Sequence, residues 1–365
     1  MTVAAFDDLL RFDLPDDLAA HEPPEARGLA RDAVRLLVSS VDGDDLDHAR
    51  FRDLPDFLRR GDLLVVNTSA TINASLPAVR QAGGTGRREI LVHLSTQLSA
   101  SRWAVELRTI TAKESAPLLD AATGERLTLP GGARARLIEP WLGDRAQASI
   151  AGTRLWVASL DLPDDAIEYT RRHGTPIRYS YVTKTWPLCH YQTMFAREPG
   201  SAEMPSAGRP FTPDVLVSLV ERGIRVAGIT LHTGVSSLET GEPPYPERYD
   251  VRAATADAVN ATRRSGARVI AVGTTVVRAL ETVSSENGFV HAGRGWTDHV
   301  VSSARPPRAV DGLITGLHAP RATHLAMLES FTGRERLARA YAEAVRERYL
   351  WHEFGDVHLI SPDSY

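Results

Sequence analysis

Apolar positions along the chain fall into short runs punctuated by proline and glycine, with no long continuous stretch. Residues 33–39 (AVRLLVS) read as a strand followed by an Asp42-Gly43 turn. Residues 61–67 (GDLLVVN) read as a second, buried strand that runs into the polar Asn67-Thr68-Ser69. From about residue 70 to 160 the texture changes. Short β-like runs at 102–107, 133–138 and 153–159 are separated by glycines at 83, 84, 86, 124, 131, 132, 143 and 152. Short strands with regular turn signals predict a small barrel or sandwich. The flanks differ, so this segment reads as an insertion into an α/β domain.

The second half alternates between helical and strand periods. Thr212 caps a helix that has Pro213 at its first position and ends at Gly223. Residues 225–231 (RVAGITL) form a strand that delivers His232 to its C-terminal end. A helix over 255–264 stops at Gly266 and leads into the apolar strand 268–272. Gly273-Thr274-Thr275 follows, then a helix through 276–283. Leu337, Tyr341, Val345 and Tyr349 mark the core face of a last helix over 334–349. The expected fold is therefore a mixed-sheet α/β domain, residues 1–69 and 161–365, carrying an inserted small β-barrel domain, residues 70–160.

Composition narrows the class. The 365 residues include 43% hydrophobic and 24% charged side chains, which suits a globular chain of two domains. No window is apolar enough to span a bilayer, and Met1 to Asp8 carry no basic n-region, so the expected setting is the cytoplasm. Cys189 is the one cysteine, which excludes an intramolecular disulfide and a cysteine-rich metal site. Net charge is −4, with no footprint of a general nucleic-acid binder. Residues 1–60 hold 8 arginines against 14 acidic groups, whereas residues 61–160 hold 11 basic against 8 acidic. Only Lys113 and Lys184 are lysines.

Ligands of open α/β sheets bind beyond the carboxyl ends of strands. Two such ends are polar here, Thr230-Leu231-His232-Thr233-Gly234 and Gly273-Thr274-Thr275-Val276-Val277-Arg278. In the second, a glycine turn exposes backbone N–H groups at a helix start, a nest suited to an anion, and Arg278 lies one turn further on, able to fork onto the same group. A plain capped helix with a surface arginine is the alternative. His232 and His318 are candidate proton carriers, against the alternative of satisfied structural histidines. Cys189 and His190 are adjacent, a poor metal-ligand spacing. There is no Walker A loop, nucleophile elbow or GxGxxG motif. Residue types alone leave the reaction open.

At these same residues the chain resembles the S-adenosylmethionine:tRNA ribosyltransferase-isomerase family of queuosine biosynthesis. The match runs in order through Phe12-Asp13-Leu14-Pro15, Gly61-Asp62-Leu63-Leu64-Val65-Val66-Asn67, Tyr191-Gln192-Thr193-Met194-Phe195-Ala196 and Pro205-Ser206-Ala207-Gly208. It continues through Thr230-Leu231-His232-Thr233-Gly234, the run from Arg268 to Arg278, Asp311-Gly312-Leu313-Ile314-Thr315, His318 with Pro320, and Gly355-Asp356 with Leu359-Ile360. The resemblance implies an α/β domain with an inserted β-barrel. It also implies transfer and isomerisation of the ribosyl unit of S-adenosylmethionine onto 7-aminomethyl-7-deazaguanine in tRNA, with no cofactor or metal beyond that co-substrate. His232 and His318 are then the catalytic candidates. Tyr191, Gln192, Gly208, Gly234, Gly273, Thr274, Thr275, Arg278 and Thr315 are expected around donor and substrate, with Arg87 and Arg88 toward RNA.

The chain also departs from the family pattern. Asn67-Thr68-Ser69-Ala70-Thr71-Ile72-Asn73-Ala74-Ser75 lacks two arginines of the family run, at Ala70 and Ser75. Gly208-Arg209-Pro210-Phe211-Thr212 and Pro244-Tyr245-Pro246-Glu247 each lack a histidine. These losses keep three readings in play: the tRNA enzyme, a paralogue that uses S-adenosylmethionine on a small-molecule acceptor, and an inactive binder of adenosyl compounds or RNA.

Overall fold

A computed structural model describes residues 9–81, 87–110, 115–142, 153–235 and 244–362. Met1 to Asp8 and the glycines at 83, 84, 86, 143 and 152 lie outside the described residues.

Nine strands form one mixed sheet in the order Gly293–Thr297, Glu247–Val251, Arg225–His232, Leu63–Asn67, Val269–Val272, Gly312–Gly316, Val357–Ser361, Arg35–Ser40, Leu46–Arg50. The four from Arg225–His232 to Gly312–Gly316 are mutually parallel, so their C-terminal ends emerge side by side. Leu63–Asn67 and Val269–Val272 are buried at every position, which is why they read as unbroken apolar runs. Helices Ala253–Arg264, Thr274–Thr282, His324–Thr332 and Arg334–Arg346 cover one face through a core that includes Val259, Leu280, Leu328 and Tyr341. Helix Pro213–Glu221 and the 3-10 segment Phe51–Phe57 cover the other with Leu219, Phe51 and Leu54. Thr212 caps Pro213–Glu221 by accepting the Val215 N–H. The last helix ends at Arg346, short of the predicted Tyr349, where Arg348 turns left-handed at φ 57°. Tyr349 is still fully buried.

The expected insertion is a closed antiparallel barrel. Strands Ser75–Gln81, Arg87–Gln97, Arg102–Ile110, Leu155–Asp161, Arg134–Pro140 and Arg126–Thr128 pair in a ring, and Ser115–Pro117 adds to an edge. Leu76, Val92, Leu94, Trp103, Val105 and Leu137 fill it. The barrel meets the α/β domain through polar contacts near its buried Glu106. Arg108 and Arg154 each reach Glu106 at 3.0 Å, and Arg154 Nη2 donates to the Tyr245 hydroxyl at 3.0 Å. Val235 N–H donates to Ser95 Oγ at 3.0 Å.

Candidate active site

Asn67 ties the parallel strand ends together. Its amide nitrogen donates to the Leu231 carbonyl at 2.8 Å and to Thr275 Oγ1 at 3.3 Å, and its Oδ1 accepts the N–H groups of Leu231 and Ser69. A cleft opens beyond these ends, with about 1070 Å³ of empty space including its mouth. At its wall Gly273 holds φ 97°, a conformation open to glycine, and directs the chain from strand into helix Thr274–Thr282. The N–H groups of Val276 and Val277 turn back onto the Gly273 carbonyl. Those of Thr274 and Thr275 have no acceptor among the described residues, as expected at a helix start.

Six of the expected residues converge here from four separate runs: Tyr191, Gly273, Thr274, Thr275, Thr315 and His318. His318 Nε2 and Thr315 Oγ1 are 2.9 Å apart. The His318 ring lies parallel to His324 at 4.5 Å between centroids. Burial, and then the neighbouring imidazoles of His324, His352 and His358, hold His318 well below the ordinary histidine range. It is neutral at neutral pH. His324 is held down to about 4, chiefly by burial.

Other expected residues sit elsewhere. His232 is outside the lining of this cleft. Its Nδ1 lies 2.8 Å from Ser69 Oγ, which in turn lies 2.6 Å from Ser201 Oγ, and a side chain on Gly200 would come within 2.7 Å of the ring. The strand pleat turns His232 away while Thr233 faces the cleft. Arg278 offers no free fork to a donor. Its guanidinium pairs with the buried Glu247 carboxylate and donates to the carbonyls of Tyr245, Thr297 and His299, because the helix that Gly273 starts carries it inward. Gln192 clamps the Thr71 backbone, accepting its N–H at 3.1 Å and donating to its carbonyl at 2.7 Å. Gly208 is buried in the turn Ser206–Gly208, where Ser206 and Ala207 face the cleft instead. Gly234 donates its N–H to Glu247 at 2.9 Å.

Gly234, Glu247 and Arg278 line a second chamber with Tyr245, Val301 and Met327. The two chambers share Thr233, Thr274, Thr275 and His324. Among the polar residues of the first chamber that sequence reasoning missed are Tyr179, Tyr181, Glu203, His324, His352 and Glu353. Local periodicity gave no signal for them: Tyr179 and Tyr181 belong to a turn that the Val182 N–H closes onto the Tyr179 carbonyl at 3.0 Å. None of the first chamber's lining residues is an arginine or lysine. Among the described residues no group of three or more His, Cys, Asp or Glu could hold a metal ion, and no helix is long and apolar enough to cross a membrane.

The comparisons with known proteins agree over the whole length. The profile of a family described as "Queuosine biosynthesis protein" matches residues 7–360. The S-adenosylmethionine:tRNA ribosyltransferase-isomerase of Moorella thermoacetica is 38% identical over 99% of this chain and 100% of its own. The protein of the same name from Geobacter sulfurreducens is 35% identical with the same coverage. A crystal structure of S-adenosylmethionine tRNA ribosyltransferase from Thermotoga maritima superposes with a TM-score of 0.51 at 26% identity, covering 98% of this chain and 99% of that one.

Proposed function

The chain belongs to the queuosine biosynthesis protein family of S-adenosylmethionine:tRNA ribosyltransferase-isomerases, and from that premise we propose that the cleft at residues 273–275 is where its reaction takes place. The protein is an enzyme that transfers and isomerises the ribosyl unit of S-adenosylmethionine onto 7-aminomethyl-7-deazaguanine in tRNA, giving epoxyqueuosine. The convergence of six matched residues from three distant regions of the chain in one cleft carries the assignment.

The donor lies against the Thr274 and Thr275 N–H groups, whose partial positive charge suits its carboxylate. The donor's sulfonium acidifies the neighbouring C5′ protons, so a neutral base held beside it can begin the rearrangement. His318 takes that part in place of His232, since it stands in the cleft, is neutral, and is oriented by Thr315 and by the His324 ring. Arg278 acts at one remove, by neutralising Glu247. S-adenosylmethionine is the only small co-substrate this chemistry calls for, and a tRNA substrate supports a cytoplasmic setting.

The RNA face lies on the barrel. Arg87 and Arg88 are both exposed, but the pleat points them to opposite sides. Arg87 pairs with Gln81, Arg136 pairs with Arg126, and the neighbouring registers bring Arg126 beside Gln81. Arg87, Arg126 and Arg136 thus share one exposed rung across four strands. Strand Arg87–Gln97 puts this rung about 25 Å from its Ser95 contact with the α/β domain, a reach that a tRNA body spans and a small acceptor does not.

Incubation with S-adenosylmethionine and tRNA carrying 7-aminomethyl-7-deazaguanine is expected to release adenine and methionine and to leave epoxyqueuosine in the RNA, read by mass spectrometry. Intact donor after prolonged incubation overturns the assignment.

A further inference from the structure

The first chamber contains two carboxylates that none of the roles above uses. Glu203 accepts a hydrogen bond from the Tyr179 hydroxyl, and Glu353 accepts one from the Tyr181 hydroxyl. The phenols are themselves fixed. Tyr181 is stacked between Tyr179, at 5.8 Å and 18°, and His352, at 4.0 Å and 12°. Each carboxylate is therefore held by a donor that cannot swing away, and Glu353 keeps lone pairs for a further donor. Among the described residues no arginine or lysine forms an ion pair with Glu353, and the chamber lining contains neither residue type. Thr233 Oγ1, on the wall shared with the second chamber, is enclosed and has no hydrogen-bond partner among the described residues. Two placed carboxylates in a cleft without cations are suited to a positively charged group of the substrate and exclude a phosphate.

Resting on the ribosyltransferase reading above, we propose that Glu203 and Glu353 receive a primary ammonium group, that of the aminomethyl acceptor, and that Glu353 takes the proton the amine must lose before it can attack. In that step one N–H bond breaks and one carboxyl O–H bond forms. The nitrogen keeps the electron pair that goes on to make its bond to the ribosyl carbon. Burial and the nearby Glu203 charge push Glu353 up to about 7, against the opposing pull of the Tyr181 hydroxyl and Arg209. A proton acceptor poised there matches the task better than an ordinary carboxylate. Tyr191 and His352 are the other titratable groups beside it, the former pushed above the ordinary tyrosine range and the latter held down to about 4, so both stay neutral.

Both reactants carry a primary ammonium, since the methionine end of the donor has one as well. The experiment separates them. Glu353→Gln and Glu203→Gln keep shape and hydrogen bonding while removing charge. For each variant and the wild type, calorimetry measures S-adenosylmethionine affinity, and competition measures binding of the free base 7-aminomethyl-7-deazaguanine against its 7-methyl analogue. Steady-state adenine release supplies KM for modified tRNA and kcat. The expected result is unchanged donor affinity and a loss on the order of tenfold to a hundredfold in free-base affinity, with preference over the 7-methyl analogue abolished. Glu353→Gln also lowers kcat, whereas Glu203→Gln acts mainly on KM. A fall in donor affinity with acceptor binding intact overturns the proposal and gives the carboxylates to the methionine ammonium. Wild-type parameters in both variants overturn it outright. A wild-type enzyme that releases no adenine is instead a failure of the functional reading, and the free-base arm still decides whether the carboxylates bind an amine.

Discussion

His232 ends one parallel strand and His318 follows another, and both belong to matched motifs, yet they lie in different surroundings. His232 packs on Gly200 and bonds Ser69, while His318 stands in the cleft beside Thr315. His232→Ala is therefore expected to leave single-turnover adenine release within a few-fold of wild type, whereas His318→Gln lowers it on the order of a hundredfold. Equal losses in the two variants would return His232 to the chemistry. Arg278 gives the second test at this scale. Removing it leaves Glu247 buried and charged without its partner, so Arg278→Ala is expected to destabilise the fold by about 3–5 kcal/mol in urea titration. Adding Glu247→Gln should restore part of that loss. A stable single variant with weakened donor binding would instead put the guanidinium on the ligand.

The turn between strand Val269–Val272 and helix Thr274–Thr282 depends on the one residue that allows it. Gly273 has a positive φ, and the nearest atom to an added Cβ is Thr275 Oγ1 at 3.4 Å, so conformation and not crowding forbids a side chain. Gly273→Ala carries strain of about 1–3 kcal/mol. Shifting the turn to relieve it moves the Thr274 and Thr275 N–H groups. S-adenosylmethionine affinity by calorimetry should then fall about tenfold or more, with the melting temperature lowered in parallel. Unaltered affinity would place the donor away from this turn. This element was legible beforehand because glycine after an apolar run and before a helical period has few other uses. Its start was misjudged by two residues, since both threonines already belong to the helix.

Across the molecule, the proposed reaction cleft and the proposed RNA face fall on different domains. The cleft has no cationic lining, so under the proposed reading phosphate recognition belongs to another surface, for which the rung of Arg87, Arg126 and Arg136 is the candidate. Filter binding of tRNA across a salt series is expected to give a log–log slope of roughly −3, as for four phosphate contacts on a single-stranded loop. Replacing the three arginines by alanine should flatten that slope by about 2. A slope that survives the triple replacement would move the RNA face off the barrel. Arg88 alone should matter little, because it sits on the opposite side of the strand.

Periodicity and turn chemistry were enough to predict the mixed sheet, the inserted barrel and the strand-end position of the cleft. Each follows from burial and backbone constraints that act over a few residues. The motif matches likewise offered Tyr191, Gly273, Thr274, Thr275, Thr315 and His318 as candidates, and these line one cleft. Tertiary structure alone decided the rest. Glu203 and Glu353 lie 150 positions apart and meet only because the segment leading to Ser206–Gly208 and the stretch before Val357–Ser361 border the same sheet end. Arg278 and Glu247 pair across 31 positions, so the guanidinium that the motif offered to a ligand is engaged within the fold. The three barrel arginines form a row through strand register, a property of paired strands that no single strand carries. Local sequence specifies what a backbone segment can do, but the charge and reach of a side chain are settled by what the fold brings beside it.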